Sequence, residues 1–194
     1  MSVINYKRRA LKWSYKTTEK GNSGKPVNRS LNSIEAIVIH NVGEEDGRIS
    51  TAKNNVDYFA NGNQRSAGAH FFIDRDGICA RSVWMKNTAW SVGKLSYEEG
   101  QYYSKVNNEN SISIELCGIM IDEPSEKQLK KLDDLIRYIC KHCPNVKWIV
   151  RHYDVVKKNC PLRYVYDRKA WLQLQCRLLG VMQKAMKKYH GKDV

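Results

Sequence analysis

The run Ile34-Glu35-Ala36-Ile37-Val38-Ile39 is rich in β-branched residues and stops at a histidine, His40. It is too short for an ordinary helix, and its stiff side chains suit a buried strand. Runs of the same kind return at His70-Phe71-Phe72-Ile73, Ile78-Cys79-Ala80, Ser111-Ile112-Ser113-Ile114-Glu115-Leu116 and residues 146–150. Between them the apolar spacing turns helical. A short stretch runs from Ala52 to Phe59, and Leu129, Leu132, Leu135, Ile136, Ile139 and Cys140 then share one helical face. Trp171, Leu174, Leu178, Val181 and Ala185 form the stripe of a closing helix. Strands that alternate with helices predict an α/β fold. Asp74-Arg75-Asp76-Gly77 between two apolar runs reads as a hairpin turn, which adds an antiparallel pair. The expected architecture is therefore a mixed central β-sheet flanked by helices.

Local signals refine this reading. Ser125-Glu126-Lys127-Gln128 fits a capping box that opens the long helix. Gly21-Asn22-Ser23-Gly24-Lys25-Pro26 has loop composition, and a Gly-, Tyr- and Asn-rich loop is expected over 93–110. At 194 residues the chain suits one domain with a short appendage. Residues 1–33 read as a basic lead-in segment, 34–165 as the main domain, and 166–194 as a C-terminal helix packed on that domain.

The longest apolar runs, such as Ala36–Ile39 and Leu178–Met182, fall far short of the roughly 18 residues a membrane span requires. Lys7, Arg8, Arg9, Lys12 and Lys16 break any apolar stretch at the N-terminus, so no secretory signal is read there. The expectation is cytoplasmic accumulation, with the six cysteines as reduced thiols. Thirty-three Lys and Arg against 20 Asp and Glu give a net charge of +13, which favours an anionic partner. Nucleic acid and a phosphate-rich cell wall both meet that description. The basic residues are scattered and carry no recognisable nucleic-acid motif, which argues against the first.

The stretch richest in chemistry is Arg151-His152-Tyr153-Asp154-Val155-Val156-Lys157-Lys158-Asn159-Cys160-Pro161. A histidine at a predicted strand end and a cysteine before a proline can bring an imidazole and a thiolate together across one loop. His40 also stands at a predicted strand end, and strand ends form the ligand crevice of such sheets. Two imidazoles and one thiolate suit Zn²⁺ and leave the fourth tetrahedral position open. On spacing alone, hydrogen-bonded histidines and a buried filler cysteine account for the same residues. Cys140-Lys141-His142-Cys143 offers a rival, because its C-x₂-C spacing is that of structural zinc sites and could recruit His152 and Cys160. Cys140 completes the apolar face of its helix, which favours core packing.

Four blocks occur in order: Ile37-Val38-Ile39-His40-Asn41, Gly68 through Gly77, Asn110 through Glu115, and His152 through Pro161. Together they resemble the type-2 N-acetylmuramoyl-L-alanine amidases, which include phage endolysins and share a fold with the peptidoglycan recognition proteins. The resemblance covers roughly residues 34–165. It implies Zn²⁺ bound by His40, His152 and Cys160, with Glu115 as proton carrier and Lys158 as the cation beside the developing oxyanion. It also places Trp90, within Thr88-Ala89-Trp90, on the substrate groove and gives His70, which matches a common family histidine, a structural or groove-lining role that includes substrate binding. Some members carry a tyrosine immediately before the strand histidine; this chain has Ala69, which favours a mechanism built on Glu115.

The implied substrate is bacterial peptidoglycan, cut at the amide that joins the muramic lactyl group to L-alanine. The charge suggests anionic wall polymers as further partners. The expectation excludes nucleic acid, a membrane span and an obligate protein partner. Without a secretory signal, release to the wall would follow the holin-dependent route of an endolysin. A non-enzymatic receptor of the same fold is the alternative, but such receptors typically lack the metal cysteine, and Cys160 is present.

Overall fold

The computed structural model describes residues 28–44, 49–62, 67–93 and 98–194, with the backbones of Tyr15–Lys16 and Ser23–Gly24. Most of the basic lead-in lies outside the described residues; of the polar run expected as a loop at 21–26, only Ser23–Gly24 are described, and they pair antiparallel with Thr88–Ala89 instead of forming a loop.

Among the described residues eight strands occur: β1 (Tyr15–Lys16), β2 (Ser23–Gly24), β3 (Ala36–Glu44), β4 (Phe71–Ile73), β5 (Cys79–Arg81), β6 (Thr88–Ala89), β7 (Ser111–Ile119) and β8 (Trp148–Arg151). The helices are α1 (Ala52–Asp57), α2 (Glu126–His142), α3 (His152–Val155), α4 (Leu162–Tyr166) and α5 (Arg168–His190). The main sheet has the order β1-β5-β4-β7-β3-β8. Strands β4, β7, β3 and β8 run parallel, and β5 is antiparallel to β4. The mixed sheet expected from the sequence is thus present, and the Asp74–Gly77 turn supplies its antiparallel pair. In that turn Asp74 Oδ1 accepts from the Ile78 amide at 2.9 Å.

Strand alternation divides the sheet into two faces. Ile37, Ile39, Ile112, Ile114 and Leu116 join Leu132, Leu135, Ile136, Ile139, Leu178 and Met182 in the main core under α2 and α5. Each such large apolar side chain removed from water stabilises the fold by about 1.5–3 kcal/mol. The opposite face carries Ala36, Val38 and Val150 in one cluster, and Phe72, Ala80 and Cys117 in another beneath α1. The two long helices are tied together where Arg177 grips Asp133 with bonds of 3.1 and 2.8 Å.

Two local expectations are revised. Strand β3 does not stop before His40 but continues to Glu44, because residues 41–44 go on pairing with β7. The pair is drawn close at its far end: a Cβ added to Gly43 would meet the Gly118 carbonyl oxygen at 1.8 Å, so only glycine fits. The capping box at α2 is half formed. Ser125 Oγ accepts from the Gln128 amide at 3.1 Å. The Gln128 side chain does not return to Ser125 but is buried, donating to Ile73 O at 2.7 Å and Cys117 O at 2.9 Å.

Candidate metal centre

The register of the parallel strands builds the site. His40 on β3 is the Cα partner of Glu115 on β7. Ile39 is the partner of Arg151, the last residue of β8, so the next residue on each chain is His40 and His152. One row across the sheet therefore carries Glu115, His40 and His152. Alternation sets the His40 and Glu115 side chains on the face away from α2 and α5.

Cys160 reaches this row through a closed loop. After β8 the chain makes the single turn α3, and the Tyr153 amide donates to the Cys160 carbonyl at 2.8 Å, bringing the two ends of the loop together. Asn41, next to His40, fixes the following segment. Its Oδ1 accepts from the Leu162 amide at 3.1 Å, and its Nδ2 donates to Met120 O at 2.7 Å. Cys160 Sγ then lies 3.7 Å from His40 Nδ1. The His40 and His152 rings stand 4.7 Å apart at 61°. One ligand atom from each of His40, His152 and Cys160 falls within 4.8 Å of the others.

These groups are enclosed and unsatisfied. His40, His152 and Cys160 are all buried. His40 Nε2, both nitrogens of His152 and Glu115 Oε2 are buried without a hydrogen-bond partner. Polar atoms in that condition cost free energy and are rare in native structures, so such a cluster calls for a ligand. Burial, then the neighbouring His152 and Lys158 charges, holds the His40 pKa well below its ordinary value. Burial and Lys158 lower His152 to about 3. Both rings therefore offer neutral lone pairs at physiological pH, the form that binds a metal. Burial pushes the Cys160 thiol up to about 12, a cost that a cation beside the sulfur would remove. Burial also raises Glu115 to about 7, against the opposing pull of Lys158. The Lys158 side chain is exposed at the rim.

Cys140 and Cys143 do not join this group. They are fully buried in the main core, on the other side of the sheet. The core packing expected of them is what the structure has, and the rival zinc site that their spacing offered does not form among the described residues, where His40, His152 and Cys160 form the one converging group.

The profile of the Amidase_2 family, described as N-acetylmuramoyl-L-alanine amidase, matches residues 30–163. The chain belongs to the N-acetylmuramoyl-L-alanine amidase family. Among curated relatives of this amidase-family chain are the N-acetylmuramoyl-L-alanine amidase CwlL of Bacillus licheniformis and BlyA of Bacillus subtilis strain 168. CwlL is 29% identical over 71% of this chain and 38% of its own length. BlyA is 26% identical over 83% of this chain and 47% of its own. The chain thus spans less than half the length of these relatives. A solved structure of PlyL superposes with a TM-score of 0.62 at 18% identity, covering 85% of this chain and 94% of that one. A structure of an AmpD derivative gives 0.56 at 19% identity over 74% and 83%. These likenesses bear on the fold.

Two further residues expected at the site of this amidase-family chain fall in different settings. Trp90 is 47% exposed, and its carbonyl accepts from the Gly68 amide at 2.9 Å. His70 is fully buried, the setting of the structural one of its two expected roles and not of the groove-lining one. Its Nδ1 accepts from the Ser113 amide at 3.0 Å, which leaves the proton on Nε2, 3.1 Å from the Asn87 carbonyl. Burial and the nearby Arg29 charge depress His70 to about 3. With both nitrogens engaged and no surface, His70 holds the β4–β7 region together.

Arg29 and Asn41 were not singled out from the sequence. Arg29 sits in the polar lead-in yet is only 6% exposed. Its guanidinium donates to the carbonyls of Met85 (3.0 Å), Asn108 (2.7 Å), Glu109 (2.7 Å) and Ser111 (2.9 Å), and lies 2.9 Å from His70 Nε2. A lone arginine among loop residues gives no signal for such a role. Asn41 could have been found, because it adjoins a candidate ligand.

Proposed function

We propose that this chain is the catalytic part of a zinc-dependent hydrolase that cuts the amide between N-acetylmuramic acid and L-alanine in bacterial peptidoglycan. The observation that carries the reading is the convergence of three enclosed ligand atoms, from His40, His152 and Cys160, within 4.8 Å of one another. This donor set fits Zn²⁺, and His40 Nε2 and both nitrogens of His152 are buried without a hydrogen-bond partner. Bound there, zinc supplies a Lewis acid that makes water a stronger acid and polarises a carbonyl.

Glu115 Oε2, raised to a pKa of about 7, is suited to take a proton from the attacking water and hand it to the departing nitrogen. The water oxygen bonds to the lactyl carbonyl carbon, the carbon–nitrogen bond breaks, and the products are a lactyl carboxylate and a free L-alanine amine. Lys158 at the rim faces the negative charge that grows on the carbonyl oxygen. The exposed Trp90 offers an apolar face to the glycan or its peptide. We extend the reading to wall degradation of the endolysin kind, with the +13 charge drawing the protein to anionic wall polymers.

Purified cell walls test this directly. Incubation should release new α-amino groups identified as L-alanine, with no new reducing sugar ends. A chelator should stop the release, and added Zn²⁺ should restore it. Reducing ends in place of amines would overturn the bond assignment, and full activity in the metal-stripped protein would overturn the zinc.

A further inference from the structure

The turn that carries His152 holds itself only in part, through the Val156 amide donating to His152 O at 3.0 Å and the Arg151 amide donating to Asp154 Oδ2 at 2.9 Å. Helix α3 spans four residues, too few to satisfy the carbonyls of its own last turn. A separate segment, residues 98–106, supplies the missing donors. The Tyr102 amide donates to Asp154 O at 2.8 Å and the Gly100 amide to Val155 O at 2.9 Å. In return the Lys157 amide donates to Glu98 O at 2.9 Å, and Glu99 forms an antiparallel bridge with Val156. Val106 packs with Val155 and Val156 beneath, and the Tyr102 ring meets Trp148 of β8 edge-on at 5.9 Å.

The approach is close enough to leave no room for a side chain at its centre. A Cβ on Gly100 would meet the Asp154 carbonyl oxygen at 2.3 Å and its carbon at 2.6 Å. Those atoms are backbone, so the contact cannot be relieved by a rotamer change. The strands at this point offer no substitute, because β8 has already ended at Arg151.

We infer that the 98–106 segment is a clamp that sets the position of His152, and that Gly100 is a positioning residue for the metal centre. The inference rests on the zinc reading. A methyl group at residue 100 forces the segment away from α3, strips the Asp154 and Val155 carbonyls of their donors, and releases His152 from its place beside His40. Groups that orient metal ligands typically change affinity by about 10–100-fold when disturbed. Gly100→Ala should lose affinity in that range.

Two measurements test this. The first compares Zn²⁺ affinity, by competition with a chromophoric chelator, in wild type, Gly100→Ala and Leu178→Ala. Leu178 lies in the main core on the other face, so its truncation lowers stability without touching the clamp. The expected result is a 10–100-fold loss for Gly100→Ala and little change for Leu178→Ala, with altered Co²⁺ absorption bands in Gly100→Ala alone. Equal affinity in wild type and Gly100→Ala overturns the clamp. The second needs no variant. Coupling is reciprocal, so Zn²⁺ binding should slow hydrogen exchange at the Gly100, Tyr102 and Lys157 amides. Unchanged exchange at all three overturns the inference even if Gly100→Ala fails to fold. A wild type that binds no Zn²⁺ would instead sink the metal reading itself.

Discussion

His40 and Glu115 are direct Cα partners on the adjacent parallel strands β3 and β7, so an imidazole of the candidate ligand group and a buried carboxyl stand side by side in one row. On the proposed reading the two do different work. His40 Nε2 and Glu115 Oε2 are both buried without partners, but only His40 belongs to the converging ligand group.

Glu115→Gln should therefore keep Zn²⁺ content and fold while losing the basic oxygen. Proton transfer by a positioned side chain contributes typically 10²–10⁴-fold, and turnover should fall by about that factor. Lys158→Ala should also keep the metal and lose on the order of 10²–10³-fold, as for a removed oxyanion donor. Elemental analysis and amine-release rates on the same preparations check both. A fully active Glu115→Gln protein removes the carboxyl from the mechanism, and loss of zinc moves it into the ligand shell.

In the proposed zinc site, Cys160→Ser replaces a thiolate ligand with a neutral hydroxyl. Metal content after dialysis against a weak chelator should drop from about one ion per chain toward zero. The circular dichroism spectrum should stay close to wild type, since Cys160 belongs to neither face's main apolar cluster. Full retention of zinc in this variant would break the three-ligand assignment.

Acid should weaken the metal-free protein through His70. Its folded pKa, about 3, lies below the 6.5 of an unperturbed histidine, so the unfolded chain binds the extra proton. Stability contributed by the neutral ring is present above about 6.5 and is lost as pH falls toward about 3. The loss is roughly 1.4 kcal/mol per pH unit across that window. Urea midpoints between pH 7 and pH 4, in chelator, should fall more steeply for wild type than for His70→Gln. Parallel slopes would show that His70 does not titrate on unfolding.

Arg29→Ala should be among the most destabilising single changes outside the main core. It orphans four carbonyls, those of Met85, Asn108, Glu109 and Ser111, and the cost should be at least about 3 kcal/mol. Arg29→Lys keeps the charge, but a single ammonium cannot match the planar fork, so it should recover only part of the loss. Equilibrium urea unfolding with an unchanged slope provides the measure. A shift under about 0.5 kcal/mol would show the network to be dispensable.

Much of this was legible in the sequence because it depends on local pattern. β-branched runs announced β3 and β7, and the 3.6-residue stripe announced α2 and α5. The trio His40, His152 and Cys160 is reached through the resemblance of four ordered blocks, because spacing alone also suits hydrogen-bonded histidines and a buried filler cysteine; the structure brings the three together. What the residues could not reveal was set by pairing between distant segments. The length of β3 depends on β7 continuing beside it, so the strand outlasted the apolar run that marked it. Gln128 looked like half of a cap, yet two carbonyls from β4 and β7 captured its amide. For His70 the resemblance offered a structural or groove-lining role without choosing between them. Its enclosure comes from Arg29, 41 positions earlier, in a stretch with the composition of a loop.

That arginine also bears on how the protein can be shortened. The family match begins at residue 30, one position after Arg29. A fragment cut at that boundary keeps every candidate ligand, the carboxyl and the lysine, yet discards the cation that joins 85, 108–109 and 111 around His70. Trimmed versions for fusion or crystallisation should begin at residue 28 or earlier, where the Arg29 amide still bonds Lys86 O at 2.7 Å. The Arg29 network thus begins one residue before the recognisable motif does.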